Sequence, residues 1–358
     1  MKRLTVVLFA ALLCAPVFRA AGQETSRDPK GLTREGVQLY NQGHYGEAVQ
    51  KFDAALGIDP GFAEALYQRG RAFLAEGESS KCLLEVAAGL RLHSSRQADF
   101  YNLGGLCSVK QWNYKTALQF FQTGLKEFPR SEKLHFNLAD LEYKAGKDKE
   151  AVREYKQVLS LNPGNASAVY NLALLYQKNG YLLSGMFMDL RYLMLEPYSD
   201  RSQAARVRFL SEMVSSLPRA NGGGIAISFP SNKDDREGDF SCMGVDMAMT
   251  GLFGNGGSRS MANSIDNVIR HALLVASESK NSKLRSTFLW KQALSPLLEL
   301  KGAHLFEAFL YKQMDLAHVR GSKNWLKRHR RKMEKLEKWF EDHGAASGRP
   351  EEGGMIKK

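Results

Sequence analysis

Prolines recur along the first part of the chain at an almost fixed interval. Pro129, Pro163 and Pro197 stand 34 residues apart, Pro60 stands two such intervals before Pro129, and Ser94 fills the slot between them. A period of this size marks a stacked array of supersecondary units, each too small to bury its own apolar face. Before the turns lie segments of one pattern: "GEAVQKFDAALGIDP", "KTALQFFQTGLKEFP" and "KEAVREYKQVLSLNP". Ala48, Ala117 and Ala151 share one position, Phe52, Phe121 and Tyr155 lie four residues on, and Ala55, Gly124 and Val158 three further. That is a helical stripe with a small residue where a neighbouring helix approaches. After the turns come "ALYQRGRAFL", "FYNLGGLCSV", "HFNLADLEYK" and "VYNLALLYQK", a second helical set. Gly43, Gly77, Gly146 and Gly180 close helices of this second set, at the left-handed position that glycine favours.

A helix–turn–helix unit of this length with these small, aromatic and proline positions resembles the tetratricopeptide repeat (TPR) family. The resemblance covers residues 29–197 in five repeats. The second repeat departs from the pattern at Cys82 and Ser94, the third carries one extra residue with Trp112 near its bend, and the fifth has Gly185 and Asp189 in its second helix, which predicts an imperfect outer face. Residues 201–217, "RSQAARVRFLSEMVSSL", read as an added helix over the last apolar face. The expected fold class is therefore all-α: a TPR solenoid with capping helix over 29–217, then a mostly helical C-terminal domain over 225–343 with a short β segment (Ile225, Ile227, Phe229), then a tail over 344–358.

In TPR proteins the first helix of each pair lines the concave face. The resemblance thus implies a peptide-binding groove of Tyr67, Tyr101, Asn102, Phe136, Asn137, Tyr170 and Asn171. Aromatic faces give large contact area, and an Asn amide matches an extended peptide backbone. The basic and Asn set with which some TPR proteins clamp an acidic peptide C-terminus is incomplete here, because the first repeat has Thr33 and Val37 and the second Tyr67 and Arg71.

The N-terminus reads as a secretory signal peptide over residues 1–22. Lys2 and Arg3 precede an apolar run from Leu4 to Leu13, and Ala20-Ala21-Gly22 supplies the small residues before a cut at Gln23. The run is well short of the ~20 residues that span a bilayer. The expectation is a soluble exported protein, periplasmic or secreted. Cleavage takes the formal charge from +12 to +9 and leaves Cys82, Cys107 and Cys242. No metal-binding cysteine spacing is present, and Cys82 and Cys107 are read as small core residues rather than as a bridge.

Beyond Pro218 the composition changes, and no family is resembled. Residues 262–277 carry an apolar stripe, Ser295-Pro296 opens a helix predicted to run to about 318, and 321–342 forms a last helix. "GLFGNGGS" (251–258) lacks the Lys of a phosphate loop, and "KDDREGD" (233–239) lacks calcium-loop spacing, so each is read as a plain loop. No cofactor or metal is expected. His304, Glu307, Tyr311, Asp315 and His318 fall on one helical stripe of a kind that can bind metal or do acid–base work, and it is read as the wet face of an amphipathic helix, opposite Leu298, Leu305, Phe309 and Leu316. The last helix is strongly basic. Trp325, Arg328, Arg330, Arg331 and Lys332 are the candidate residues for an anionic membrane surface, which export favours over nucleic acid. The functional expectation is a non-enzymatic scaffold or adaptor for a protein or peptide segment, in cell-envelope assembly. The alternative is an enzyme, or an accessory to one, with its site in residues 219–343 and repeats that recruit substrate.

Overall fold

The computed structural model describes residues 28–215, 288, 290–319 and 322–343. Among them every regular element is helical. The expected signal peptide over residues 1–22, the β segment expected at 225–229, the loops expected at 233–239 and 251–258, Cys242, the apolar stripe at 262–277, the expected 217/225 boundary and the tail expected over 344–358 lie outside the described residues. The chain divides into two compact units, residues 1–124 and 125–358.

The repeat helices follow the sequence period. They are α1 (Pro29–Asn41), α2 (Tyr45–Ile58), α3 (Ala63–Glu76), α4 (Ser79–Arg91), α5 (Gln97–Lys110), α6 (Tyr114–Glu127), α7 (Glu132–Lys144), α8 (Asp148–Leu161), α9 (Ala166–Lys178) and α10 (Leu182–Leu195). Each pair closes on a residue with left-handed backbone. Gly43, Gly77, Gly146 and Gly180 have φ between 74° and 85°. In the third repeat the residue is Trp112, with φ 60°. The closure is the same in all five: after Trp112 the Asn113 N–H reaches back to the Ser108 carbonyl at 2.9 Å, as the His44 N–H reaches Leu39 at 2.9 Å.

Inside the first unit, successive helices pack in order from α1 to α5. Small residues make the close approaches. A Cβ on Gly36 would lie 2.5 Å from the Phe52 ring, and one on Gly105 would lie 2.2 Å from Phe121. The equivalent second-helix slot holds Phe52, Val86, Phe121, Tyr155 and Asp189 through the five repeats, and all five are buried. Between α4 and α5 a disulfide joins Cys82 to Cys107, with the Cα atoms 6.4 Å apart. This corrects the expectation of unbridged core thiols. Both cysteines are fully buried beside Val86 and Leu103, so they fill the core and also cross-link it.

In the second unit α7 to α11 pack in order, α11 spanning Asp200–Ser215. A π-helical turn (Trp290–Leu294) leads into α12 (Ser295–Gly302), followed by α13 (Phe306–Leu316), α14 (Ser322–Arg328) and α15 (Arg330–Asp342). These later helices share one core with the repeats of this unit: Leu172, Tyr192, Phe209, Leu297, Phe309 and Leu336 belong to a single buried cluster. The two long helices expected here are each broken. His304 and His318 adopt left-handed backbone, φ 58° and 59°, and end α12 and α13 with the repeat-type closure, Leu305 N–H to Leu300 carbonyl and Val319 N–H to Met314 carbonyl, both at 2.9 Å. At His329 the last helix divides, with the imidazole Nδ1 bonded to the Trp325 carbonyl at 2.8 Å.

Asp189 does not mark an imperfect outer face. It points inward, is wholly buried, and pairs with Arg208 of α11. Gln177 Nε2 donates to its other oxygen at 2.8 Å. Gly185 makes room for this, since a Cβ there would meet Gln177 Cγ at 2.5 Å. Burial pushes the Asp189 carboxyl up to about 6 in spite of the guanidinium beside it. Buried Arg206 continues the fastening: its Nε donates to Gln313 Oε1 of α13 at 2.9 Å, and it also bonds the Pro197 carbonyl.

Candidate functional site

The groove candidates differ in what the fold asks of them. In the first unit Tyr67 is half-buried and meets the edge of Phe100 at 5.9 Å. Arg71 stands over its ring at 5.9 Å and Arg96 at 5.0 Å, and Arg71 also covers Tyr40 at 4.6 Å. The result is a run of alternating rings and guanidinium groups, Tyr40, Arg71, Tyr67 and Arg96, across α1, α3 and the start of α5. Stacked guanidinium planes keep their donor edges for carbonyl or carboxylate oxygens. Arg71 spends one donor on Gln68 Oε1 at 2.9 Å, and Arg96 pairs with Asp99 at 2.9 Å and with Glu64. Sequence reading missed Tyr40 and Arg96, and set Arg71 aside as part of an incomplete clamp. Tyr101 is half-buried, whereas Asn102 is buried at 7% exposure.

In the second unit Phe136 is half-buried, edge-on to Tyr155 at 5.8 Å, and Asn137 beside it is half-buried as well. Asn171 is tied into the fold. Its Nδ2 donates to the Tyr155 hydroxyl at 2.9 Å and to Asp140 Oδ1 at 3.2 Å, and the Tyr155 hydroxyl donates to the same Asp140 oxygen. Burial, with Asp140 opposite, drives the Tyr155 phenol upward. Tyr170 is likewise engaged: Arg208 and Arg201 lie over its ring at 4.7 and 5.5 Å, and its hydroxyl accepts from Arg208 at 3.3 Å. The Asn series that looks uniform in sequence therefore splits into a buried residue, a half-buried one and a structural one.

A buried polar cluster lies beneath α7 and α8. His135 Nδ1 meets Glu154 Oε2 at 2.7 Å and its Nε2 meets the Pro129 carbonyl at 3.0 Å. Burial would lower this imidazolium, but two acceptor oxygens outweigh it and raise it. Glu142 has a buried Oε2 without a hydrogen-bond partner, and burial, then the Glu154 charge, push its carboxyl up to about 7.

On α14 and α15 the aromatic side faces the core. Trp325 is stacked between Tyr311 at 4.3 Å and His329 at 3.9 Å, while Met333, Trp339 and Phe340 pack on the same cluster as Leu336. Arg328, Arg330 and Arg331 are exposed, and Lys332 pairs with Glu307 at 2.8 Å. The stripe of His304, Glu307, Tyr311, Asp315 and His318 does not converge. Both histidines sit exposed in turns, Glu307 is held by Lys332, and Asp315 accepts from Ser322 Oγ at 3.2 Å. Among the described residues no group of three His, Cys, Asp or Glu could hold a metal ion, and no helix is long and apolar enough to cross a membrane.

Residues 33–81 match a family model described as tetratricopeptide repeat, and residues 139–180 match a second, described as TPR repeat. The chain is 31% identical over 131 residues to a tetratricopeptide repeat and J domain-containing co-chaperone of Cryptococcus neoformans, a match covering 32% of this chain and 25% of the co-chaperone. It is 26% identical over 200 residues to anaphase-promoting complex subunit 6 of Arabidopsis thaliana, covering 45% of this chain and 37% of the subunit. A thermophilic TPR protein of Thermus thermophilus is similar in structure at 25% identity, with TM-score 0.43 over 52% of this chain and 99% of its own. The chain thus spans well under half the length of both curated relatives.

Proposed function

We propose that this chain, which carries tetratricopeptide repeats, is a scaffold for protein–protein interaction and, more finely, an exported adaptor that holds a segment of another protein against its first helices during cell-envelope assembly. The observation that carries the reading is the stacked run of Tyr40, Arg71, Tyr67 and Arg96, a half-exposed surface of alternating rings and guanidinium groups. Rings and arginines of this kind anchor protein interfaces. Tyr101 in the first unit is half-buried as well, and within the second unit Phe136 and Asn137 are half-buried groups of similar chemistry. Export is supported by the basic and apolar N-terminal sequence and by the Cys82–Cys107 disulfide, since such bonds persist in oxidising compartments.

The test is site-specific photo-crosslinking in the full-length protein. A photoreactive phenylalanine at Tyr67 or Tyr101 is expected to trap a defined partner, while the same group at Leu84, which is 69% exposed on the second helix of its pair, is expected to trap none. Adducts from Leu84 with none from Tyr67 or Tyr101 would place recognition on the other face and refute the reading.

The exposed arginines of α14 and α15 support a second contact, with an anionic membrane leaflet. Because Trp325 and Trp339 pack inward, this contact is one of charge alone, worth about 1 kcal/mol per cation near the surface and screened by salt. Binding of the protein to phosphatidylglycerol vesicles is expected at 50 mM salt and lost at 500 mM, and weakened at least tenfold when Arg328, Arg330, Arg331 and Lys332 become Gln. Equal recovery with neutral vesicles would exclude it.

A further inference from the structure

A cavity of about 250 Å³ opens between α10, α12 and α15, and its lining includes none of the groove candidates and none of Arg328, Arg330 and Arg331. Arg191, Met194 and Leu195 line it from α10, Glu299 from α12, and Trp339 and His343 from α15 and its end. What distinguishes it is the state of Arg191. The guanidinium is partly buried in the fold, yet its Nε has no hydrogen-bond partner, and its Nη2 reaches only the Pro163 carbonyl at 3.5 Å, the outer limit of a hydrogen bond. No carboxylate lies within ion-pair distance of it among the described residues. Compare Arg208 on the neighbouring helix, equally sheltered, which has both Asp189 and Tyr170. A sheltered cation with unspent donors is costly unless something supplies the missing oxygens. Burial accordingly depresses the Arg191 guanidinium, with the Glu299 charge opposing only in part.

The lining narrows the chemistry of what fits. A guanidinium presents its donors in a planar fork that matches the two oxygens of a carboxylate. A phosphate has the same fit, but it is close to doubly charged at neutral pH, and exposed Glu299 on the same cavity opposes a dianion. The remaining wall is apolar: Met194 is buried at 2% exposure, Leu195 is half-buried, and the Trp339 indole has one face covered by the His343 ring at 4.1 Å. The volume lies just below the range of drug-sized sites, room for one ring or one residue. We propose that this cavity binds an apolar monocarboxylate, with Arg191 holding the carboxylate and Met194, Leu195 and Trp339 enclosing its carrier.

The carboxylate has two sources, a free acid or the terminal residue of a peptide. Both are distinguished by calorimetric titration of the full-length protein with four probes: 3-phenylpropionate, 3-phenylpropionamide, and an acetylated tripeptide ending in Phe with a free or an amidated C-terminus. The free acid is expected to bind at least tenfold more tightly than its amide, since the amide lacks the charge that Arg191 awaits. Binding of the free-ended tripeptide as well assigns the site to peptide termini; binding of 3-phenylpropionate alone assigns it to small acids. Arg191→Met is expected to remove at least tenfold of the affinity. Arg191→Lys keeps the charge without the fork and is expected to lose affinity too. Glu299→Gln is expected to retain the acid and to admit inorganic phosphate. Equal affinity for acid and amide, or no binding of any of the four probes, overturns the proposal. The acid-against-amide comparison uses the unaltered protein and so stands even where a variant fails to fold.

Discussion

Replacing Arg208 by Met is expected to destabilise the protein by about 3–5 kcal/mol at pH 8, the cost of leaving a buried carboxylate without its partner. Asp189 is wholly buried, and Gln177 alone cannot balance its charge. The deficit should shrink at pH 5. Burial already raises the folded-state Asp189 carboxyl to about 6, above its unfolded value, so this group loses stability as pH rises through that window. Without Arg208 the folded value climbs further and the loss above pH 6 grows, whereas at pH 5 the carboxyl is protonated in either form. Urea denaturation at the two pH values measures this directly. A deficit equal at both would mean that lost packing, not charge, explains it. Arg208→Met combined with Asp189→Leu should recover most of the loss, because it removes both charges together.

Loss of the Cys82–Cys107 bridge is the second large effect. The bond closes a loop with a sequence separation of 25, for which chain entropy gives about 3.5 kcal/mol. Reduction should lower the denaturation midpoint by a corresponding amount, and Cys82→Ala with Cys107→Ala should reproduce it and abolish any further response to reductant. Amide exchange should accelerate first in α4 and α5, which the bond joins. A midpoint unaffected by reductant, with two titratable thiols appearing, would show that packing beside Val86 and Leu103 is sufficient without the bond.

How much of this was written in the sequence depends on whether a residue's role is local. The helix pairs of the repeats, and four of their turns, follow from Gly43, Gly77, Gly146 and Gly180, because glycine announces left-handed backbone. Trp112 and His304 adopt the same backbone without that signature, so the break after α12 was hidden and one helix was expected where there are two, whereas the end near His318 was expected. Asp189 and Arg208 were visible as charges, but their pairing joins separate helices and leaves no mark in spacing. Cys82 and Cys107 occupy apolar slots that look the same with or without a bond. The Asn102, Asn137 and Asn171 series shows the same limit. Its repeat position is shared, yet Asn102 is buried, Asn137 is half-buried, and Asn171 is bonded to the hydroxyl of Tyr155 and the carboxylate of Asp140. The ring-and-guanidinium surface of the first unit was half legible, with Tyr67 found and Tyr40 missed, because it is assembled across α1, α3 and α5.

Asp189 also bears on how such a chain can change its length over evolution. Arrays grow when a unit is duplicated and inserted beside its copies, which works while every unit offers the next the same face. The first four units keep Phe, Val, Phe and Tyr in the shared slot, but the fifth keeps a carboxylate whose charge is balanced by the arginine of α11. An extra unit inserted between α10 and α11 would part the acid from its base unless it brought an arginine of its own. Copies of earlier units escape that conflict only when inserted upstream. The count of units is therefore held at one end by a single acidic residue, and the array has a direction in which it can lengthen.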